Sequence, residues 1–275
     1  IQVVDVIGTI VEGSDLTEAG SVTFTDVDLT DTPVATEATA TVTALQADGT
    51  TTLALTVAQQ ADIEAAFSIV NAGTNSNDGT VTWDYTIVET ALDFLGKGEQ
   101  VTATFTLTIT DDEGATATQD VVVTLTGSND APTITASSTT DSGAVTEIAD
   151  NATGEGTKDL TDTGTITFAD VDLTDTHTAS VSDTVENDTG STIESPLGAL
   201  TLGTVDDGAN TLGWTFTVND SAVESLAEGQ TVTQVYTVTV VDGKGGTVDQ
   251  TVRVVITGSN DAPTITASST TDSGA

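Results

Sequence analysis

The sequence predicts an all-β protein of tandem antiparallel Greek-key β-sandwiches, and three observations predict it. Apolar residues alternate with threonine over whole stretches, as in Val101–Ile109, which is the period of a half-buried strand. Polar loops bearing glycine separate these stretches, as turns between antiparallel strands require. The pattern also occurs twice. Residues 126–144, TGSNDAPTITASSTTDSGA, return letter for letter at 257–275, and GSVTFTDVDLTDTPVA at 20–35 returns as GTITFADVDLTDTHTA at 164–179. The offsets are 131 and 144, so the second copy is shorter by 13 residues between Asp175 and Trp214. Such a repeat has the size of an independent domain, roughly 100–150 residues, and exceeds the roughly 20–50 residues of a solenoid unit. The expected modules are 1–129 and 130–260, with 261–275 supplying the linker and first strand of a third. With neither a signal peptide nor an initiator Met at its start, the chain reads as an excerpt from a longer array.

Each element follows from its residues. Val22 and Phe24, with Ile166 and Phe168 in the second copy, alternate just before an Asp-rich segment and predict an early strand. Gln59–Ala66, Ala91–Leu95 and Ser221–Leu226 are the short helical candidates. Trp83 and Tyr85, matched by Trp214 and Phe216, are the large core residues of a middle strand. Val101, Ala103, Phe105, Leu107 and Ile109 share one face, while Thr102, Thr104, Thr106 and Thr108 share the other. In the counterpart, Val232, Tyr236, Val238 and Val240 point inward. A tight loop follows, Asp111-Asp112-Glu113-Gly114 or Asp242-Gly243-Lys244-Gly245-Gly246, and the chain returns through Val121, Val123, Leu125 or Val252, Val254, Ile256. Strand, glycine turn and strand make a hairpin. Seven or so strands per copy fit a two-sheet sandwich.

Composition limits function. The 275 residues carry 43 acidic and 4 basic side chains, a formal charge of −39. That excludes a nucleic-acid binder, which needs a basic face, and disfavours docking on anionic lipid. High net charge with few aromatics can signal disorder, but 37% of residues are hydrophobic and they alternate. With no cysteine, an extracellular module of this kind must rely on core burial or metal. No run approaches 18 apolar residues, so no transmembrane helix is expected.

Three acidic clusters recur. Asp26, Asp28 and Asp31 return as Asp170, Asp172 and Asp175; the hairpin tip offers Asp111 and Asp112, or Asp242; and the segment between copies holds Asn129 and Asp130, or Asn260 and Asp261. An isolated Asp in a loop ordinarily forms an Asx-turn and no more. Sandwich topology, however, places the Asp-rich loop, the hairpin and the incoming linker at one end of a module. Asn129 and Asp130 are therefore expected to meet Asp170, Asp172, Asp175 and Asp242, with Glu147 reaching the same spot. Carboxylates about 4–5 Å apart repel by roughly 3–4 kcal/mol per pair at an effective dielectric near 20, so the group calls for a cation. Oxygen-only ligands without His or Cys favour Ca²⁺, which tolerates six to eight irregular oxygens, over Mg²⁺. An EF-hand loop does not fit, because Asp31 stands where its glycine is required and strands flank the segment.

ITFADVDLTD, WTFTVND, LAEGQ, VDGKGGT and VVITGSNDAP together resemble the VCBS repeat, a family of cadherin-like and Ig-like modules in giant RTX-type bacterial adhesins. The first copy departs from it with TITDDEGAT and a longer middle section. The linker also resembles the cadherin Asp-x-Asn-Asp-x-x-Pro signature, with Gly127 standing where its first acid would fall. The resemblance implies extender modules of a bacterial cell-surface adhesin or filament, exported from the cell and stiffened by Ca²⁺ at their junctions. Their partners would be neighbouring repeats of the same polypeptide, with lateral self-association open. The alternative is a ligand- or carbohydrate-binding surface module, which needs an exposed aromatic platform; only 4% of residues are aromatic, and Trp83, Trp214, Phe105 and Tyr236 fall on expected core faces. No enzyme is expected: the lone His177 has Pro33 at its place in the first copy.

Overall fold

A computed structural model describes residues 2–3, 7–14, 16–71, 76–182 and 184–263. Most of the expected third repeat, residues 264–275, lies outside the described residues. The chain divides into two compact units. The first comprises Ile1–Ala131 with Asp170–Asp175 and Lys244–Gly246, and the second comprises Pro132–Ala169, Thr176–Gly243 and the chain from Thr247 on.

In the first unit the strands are β1 (Gln2–Val3), β2 (Ile7–Val11), β3 (Thr17–Thr25), β4 (Val34–Leu45), β5 (Phe67–Asn71), β6 (Asp78–Thr86), β7 (Gln100–Thr110) and β8 (Thr116–Thr126), with helix α1 (Val57–Ala65) before β5. They form two sheets, ordered β1-β3-β6-β5 and β2-β8-β7-β4. All pairings are antiparallel except β2 with β8, which run parallel from Ile7↔Val122 to Val11↔Thr126. The second unit repeats the plan with β9 (Thr133–Ile134), β10 (Ser142–Thr146), β11 (Asp159–Ala169), β12 (Thr178–Val181), β13 (Ala199–Asp206), β14 (Thr211–Asn219), β15 (Thr231–Val241) and β16 (Thr247–Thr257). Its sheets are β13-β14-β11-β9 and β10-β16-β15-β12, again with one parallel pair, β10 with β16. Each unit is thus a Greek-key sandwich of the immunoglobulin type, with the opening strand shared between both sheets.

Alternation places the core as read from the sequence. Val101, Ala103, Phe105, Leu107 and Ile109 of β7 are buried, as are Val121, Val123 and Leu125 of β8. Each large side chain buried this way is worth roughly 1.5–3 kcal/mol. Phe67 stacks on Phe105 with ring centroids 4.1 Å apart and lies against Trp83 at 6.0 Å. In the second unit Tyr236, Val238 and Val240 are buried and Val232 is half-buried. Gln234, between them, is also fully buried. It is tolerated because its Oε1 accepts from Leu197 N at 2.9 Å and its Nε2 donates to the Tyr236 hydroxyl at 2.6 Å, which donates in turn to Gly198 O at 2.8 Å. A buried polar group satisfied in this way costs little.

Two glycines answer to the tryptophans. A Cβ on Gly20 would come within 2.6 Å of the Trp83 ring, and one on Gly164 within 2.4 Å of Trp214. Both glycines sit in a strand directly opposite the tryptophan, so the indole lies flat over bare backbone.

The 13-residue difference between copies falls between the start of β4 or β12 and the middle strand β6 or β14. In the first unit that stretch holds a twelve-residue β4 and α1, whose capping box pairs Thr56 with Gln59. In the second it holds the four-residue β12 and an irregular run tied by bridges at Glu186. The other two helical candidates do not form as expected: 3-10 turns at Glu89–Ala91 and Asp220–Ala222 share only Ala91 with Ala91–Leu95 and only Ser221 and Ala222 with Ser221–Leu226, and the rest of each is turn or irregular.

Candidate metal centres

One end of the first unit carries the Asp-rich loop after β3 and the β7–β8 hairpin. Asp26 Oδ1 accepts from Asp28 N at 3.0 Å, an Asx-turn. Asp111 Oδ1 accepts from Glu113 N and Ala115 N at 3.0 and 2.7 Å, folding its own hairpin. Asp112 accepts from Thr32 Oγ1 at 3.0 Å and so ties the two loops together. Asp31 is different. It is buried within ligand distance both of Asp26 and Asp28 and of Asp111 and Glu113, and its Oδ2 has no hydrogen-bond partner. Desolvation first, then Glu113, Asp26 and Asp28, push its carboxyl up to about 6.

The other end of the same unit carries residues that the sequence reading did not select. Glu12 follows β2, is buried, and accepts from Ser128 N at 2.7 Å. Glu89 accepts from Gly13 N at 2.8 Å. Glu12, Asp93 and Asp130 bring carboxylate oxygens within 4.8 Å of one another. Burial first, then neighbouring acids, raises both Glu12 and Asp130; for Asp130 those acids are Asp93, Asp170 and Glu89. Asp130 N donates to Asp172 Oδ2 at 2.9 Å, Asp172 N donates to Asp170 Oδ1 at 3.0 Å, and Asn129 Nδ2 donates to Asp130 O at 2.8 Å. Asp172 is buried, yet its Oδ1 has no hydrogen-bond partner. Desolvation first, then Asp170, Asp175 and Asp130, push it up to about 7 against the lowering donation from Asp130. Asp175 is buried beside it.

Gly127 has a packing reason. A Cβ there would lie 2.1 Å from Leu95 O, and one on Gly258 would lie 2.4 Å from Leu226 O. No acidic side chain fits at that step of the linker, whatever the cadherin pattern places there.

Glu147 does not join the Asp170 group. Strand β10 runs parallel to β16, so it delivers Glu147 beside Thr257, whereas Ala169 ends β11 at the opposite extremity of the second unit, paired with Thr133. Glu147 accepts from Ser259 N at 2.6 Å and clusters with Glu224 and Asp261. Its Oε1 and Glu224 Oε1 have no hydrogen-bond partner, and desolvation followed by Asp261, Asp220 and Glu147 raises Glu224. Asp220, fully buried, accepts from Ile148 N and Gly156 N at 2.8 and 2.7 Å. Asn260 is exposed, and Asp242 is buried where β15 ends.

The two clusters at Glu12 and Glu147 are thus one design made twice. A signal for the missed acids was present: Glu89 and Asp93 return as Asp220 and Glu224 at the linker's own offset of 131, with acid size exchanged and charge kept. His177 is no open loop residue. Its ring is buried against Phe168, with Nδ1 3.0 Å from Asp207 Oδ1.

The donor sets suit a hard cation. Every side-chain donor is oxygen, several are buried, and buried oxygens of Asp31, Asp172 and Glu147 lack a hydrogen. Among the described residues, no helix is long and apolar enough to cross a membrane.

No protein-family model matches the chain, and no curated protein matches it. Among solved structures it is similar to human CDH23 EC21-23, with 12% identity over 92% of this chain and 72% of that one, at a TM-score of 0.36. It is similar also to CfaE, the adhesive subunit of CFA/I fimbria of enterotoxigenic Escherichia coli, with 10% identity over 94% and 99% and a TM-score of 0.44. A protocadherin GammaB4 extracellular domain gives 12% identity at a TM-score of 0.36, and the chain spans 33% of its length. At these scores the sandwich assignment stands on the strand order and registers above.

Proposed function

We propose that the chain is a run of structural extender modules, bounded near residues 129/130 and 260/261, of an extracellular adhesion protein or filament on a bacterial surface, and that Ca²⁺ stiffens it. The observation that carries this reading is that buried carboxylate oxygens of Asp31, Glu147 and Glu224 have no hydrogen-bond donor, each inside a cluster of further acids. Glu12, Glu89, Asp93, Asp130, Asp170 and Asp172 would hold the ion in the first unit, with Asn129 and Asp175 adjoining. Glu147, Asp220, Glu224 and Asp261 form the equivalent set in the second, and Asp26, Asp28, Asp31 and Asp111 form the set at the first unit's Asp-rich loop. Bound there, Ca²⁺ supplies the positive charge that these acids lack. The residues do the rest: backbone amides of Gly13, Ser128, Ile148 and Ser259 hold the carboxylates in place, and Asp130, in the segment that leads to the next repeat, joins both sides of the first centre.

A surface module that stacks a sugar or other flat ligand is less well supported, since all ten aromatic side chains are buried. Calorimetric melting and small-angle scattering test the proposal together. Ca²⁺ at about 1 mM, the range of extracellular modules, is expected to raise the melting temperature and lengthen the particle relative to EGTA. Identical melting and dimensions in both would overturn it.

A further inference from the structure

The outer face of the sheet β2-β8-β7-β4 departs from the rest of this molecule in charge. Its residues follow from the registers. Thr9, Thr124, Thr102 and Thr43 form one row across all four strands; Ile7, Val122, Thr104 and Thr41 form the next. Thr118, Thr108 and Thr36 lie further along, followed by Thr116, Thr110 and Val34. Between these two pairs of rows runs the row Asp120, Thr106 and Ala38; in a chain with 43 acids Asp120 is the one acid among these residues, and it is occupied in accepting from Thr106 Oγ1 at 2.7 Å. Ile7 is 68% exposed, Val34 56% and Val11 41%, and all three lie on this face. The outer face of the other sheet carries Asp78 and Asp84 and one such apolar residue, Val70.

We infer that this face is an interaction surface for a second copy of the same chain, paired sheet to sheet about a two-fold axis. Charge selects the occupant. A copy that also carries −39 is repelled wherever carboxylates face carboxylates, and a nearly neutral face is where the two approach at least cost. A basic partner would instead seek the acid-rich loops. A face of self-like Thr and Val rows satisfies an isologous contact, because each row meets its own kind. The area reaches the lower bound: β4, β7 and β8 at about 37–41 Å and the five-residue β2 at about 17 Å, spaced about 4.8 Å apart, present roughly 600 Å² per copy, against roughly 1,200–2,000 Å² in total for a stable interface. On the equivalent face of the second unit Arg253 pairs with Asp188 at 2.6 Å, and Asp249 accepts from Thr239 Oγ1 at 2.6 Å.

Sedimentation velocity on the whole chain in EGTA tests this independently of the metal reading. The chain is expected to dimerise at concentrations up to about 0.5 mM. Raising NaCl from about 0.15 to 1 M should tighten the dimer about tenfold or more, because it screens the mutual repulsion. Thr104→Asp, at the centre of the face, and Ile7→Asp, at its exposed edge, should each weaken it at least tenfold. Thr82→Asp on the opposite sheet should leave it unchanged. Should Thr104→Asp disturb folding by circular dichroism, Ile7→Asp decides alone, because its side chain packs on nothing the core needs. A chain that stays monomeric at every salt and concentration overturns the inference. So does a dimer that Ile7→Asp leaves intact, or one that Thr82→Asp weakens equally.

Discussion

Asp172→Asn should change the stability of this protein in opposite directions depending on calcium. The substitution keeps the shape of the side chain and an oxygen to accept from Asp130 N, but removes the charge. In the metal-free protein the carboxylate is buried among Asp170, Asp175 and Asp130 and is pushed up to about 7 from 3.8. At about 1.4 kcal/mol for each pH unit, that rise is worth at most about 4 kcal/mol. Solvent screening of a site near the surface reduces it to about 1–2 kcal/mol. A raised carboxyl penalises the folded state fully above its folded value near 7, and the penalty fades as pH falls toward the unfolded value of 3.8. Asp172→Asn should therefore melt a few degrees higher than wild type at pH 8 in EGTA and show almost no gain at pH 4. With Ca²⁺ at a few millimolar the order should reverse, because the variant loses a ligand and with it part of the stabilisation that binding confers. Scanning calorimetry under the three conditions decides the matter. An Asn variant less stable than wild type in EGTA at pH 8, or one with an undiminished response to Ca²⁺, refutes the reasoning.

Three further outcomes follow from the packing. Gly164→Ala pushes a methyl into the Trp214 indole and should cost about 1–3 kcal/mol, read as a lower urea midpoint with blue-shifted tryptophan fluorescence lost earlier. Tyr236→Phe removes the nearer of two donors to Gly198 O, at 2.8 Å, and the acceptor of Gln234 Nε2, leaving Gln234 Nε2 to donate to Gly198 O at 3.3 Å, and should cost about 1 kcal/mol, measured by the same unfolding curve. Thr56→Ala removes the cap of α1 and should cost about 1 kcal/mol; amide exchange should rise over Val57–Ala65 and stay unchanged in β7 and β8.

Where the sequence was readable, period two made it so. Every apolar residue assigned to the inner face of β7, β8 and β16 is buried, because a strand covered on one side must alternate. Gln234 escaped notice because a polar letter in an apolar register looks like an outward residue; only Leu197, Gly198 and Tyr236, brought in by the fold, make it tolerable. The acids divided for a different reason. Asp170 and Asp172 announce themselves as a dense local run, and Asp130 as part of a repeated linker. Glu12 acquires its neighbours only through folding, which brings it to Thr126, 114 positions further along the chain and its partner in a backbone hydrogen bond at 3.1 Å. Glu147 was assigned to the wrong end because a residue close to a module's start was taken to stay close to it in space. The parallel strand β10 carries it the length of the sandwich instead.

That parallel pairing matters once the two ends of a module are pulled apart. Strand β2 lies near the start of the first unit and β8 at its close, and their five rungs run from Ile7↔Val122 to Val11↔Thr126. Tension drawn through the chain slides these strands past each other, so the rungs resist together instead of opening singly from one end like a zipper. The same arrangement recurs between β10 and β16. Each unit therefore closes on a fastener that is loaded in shear when its chain is drawn out from both ends.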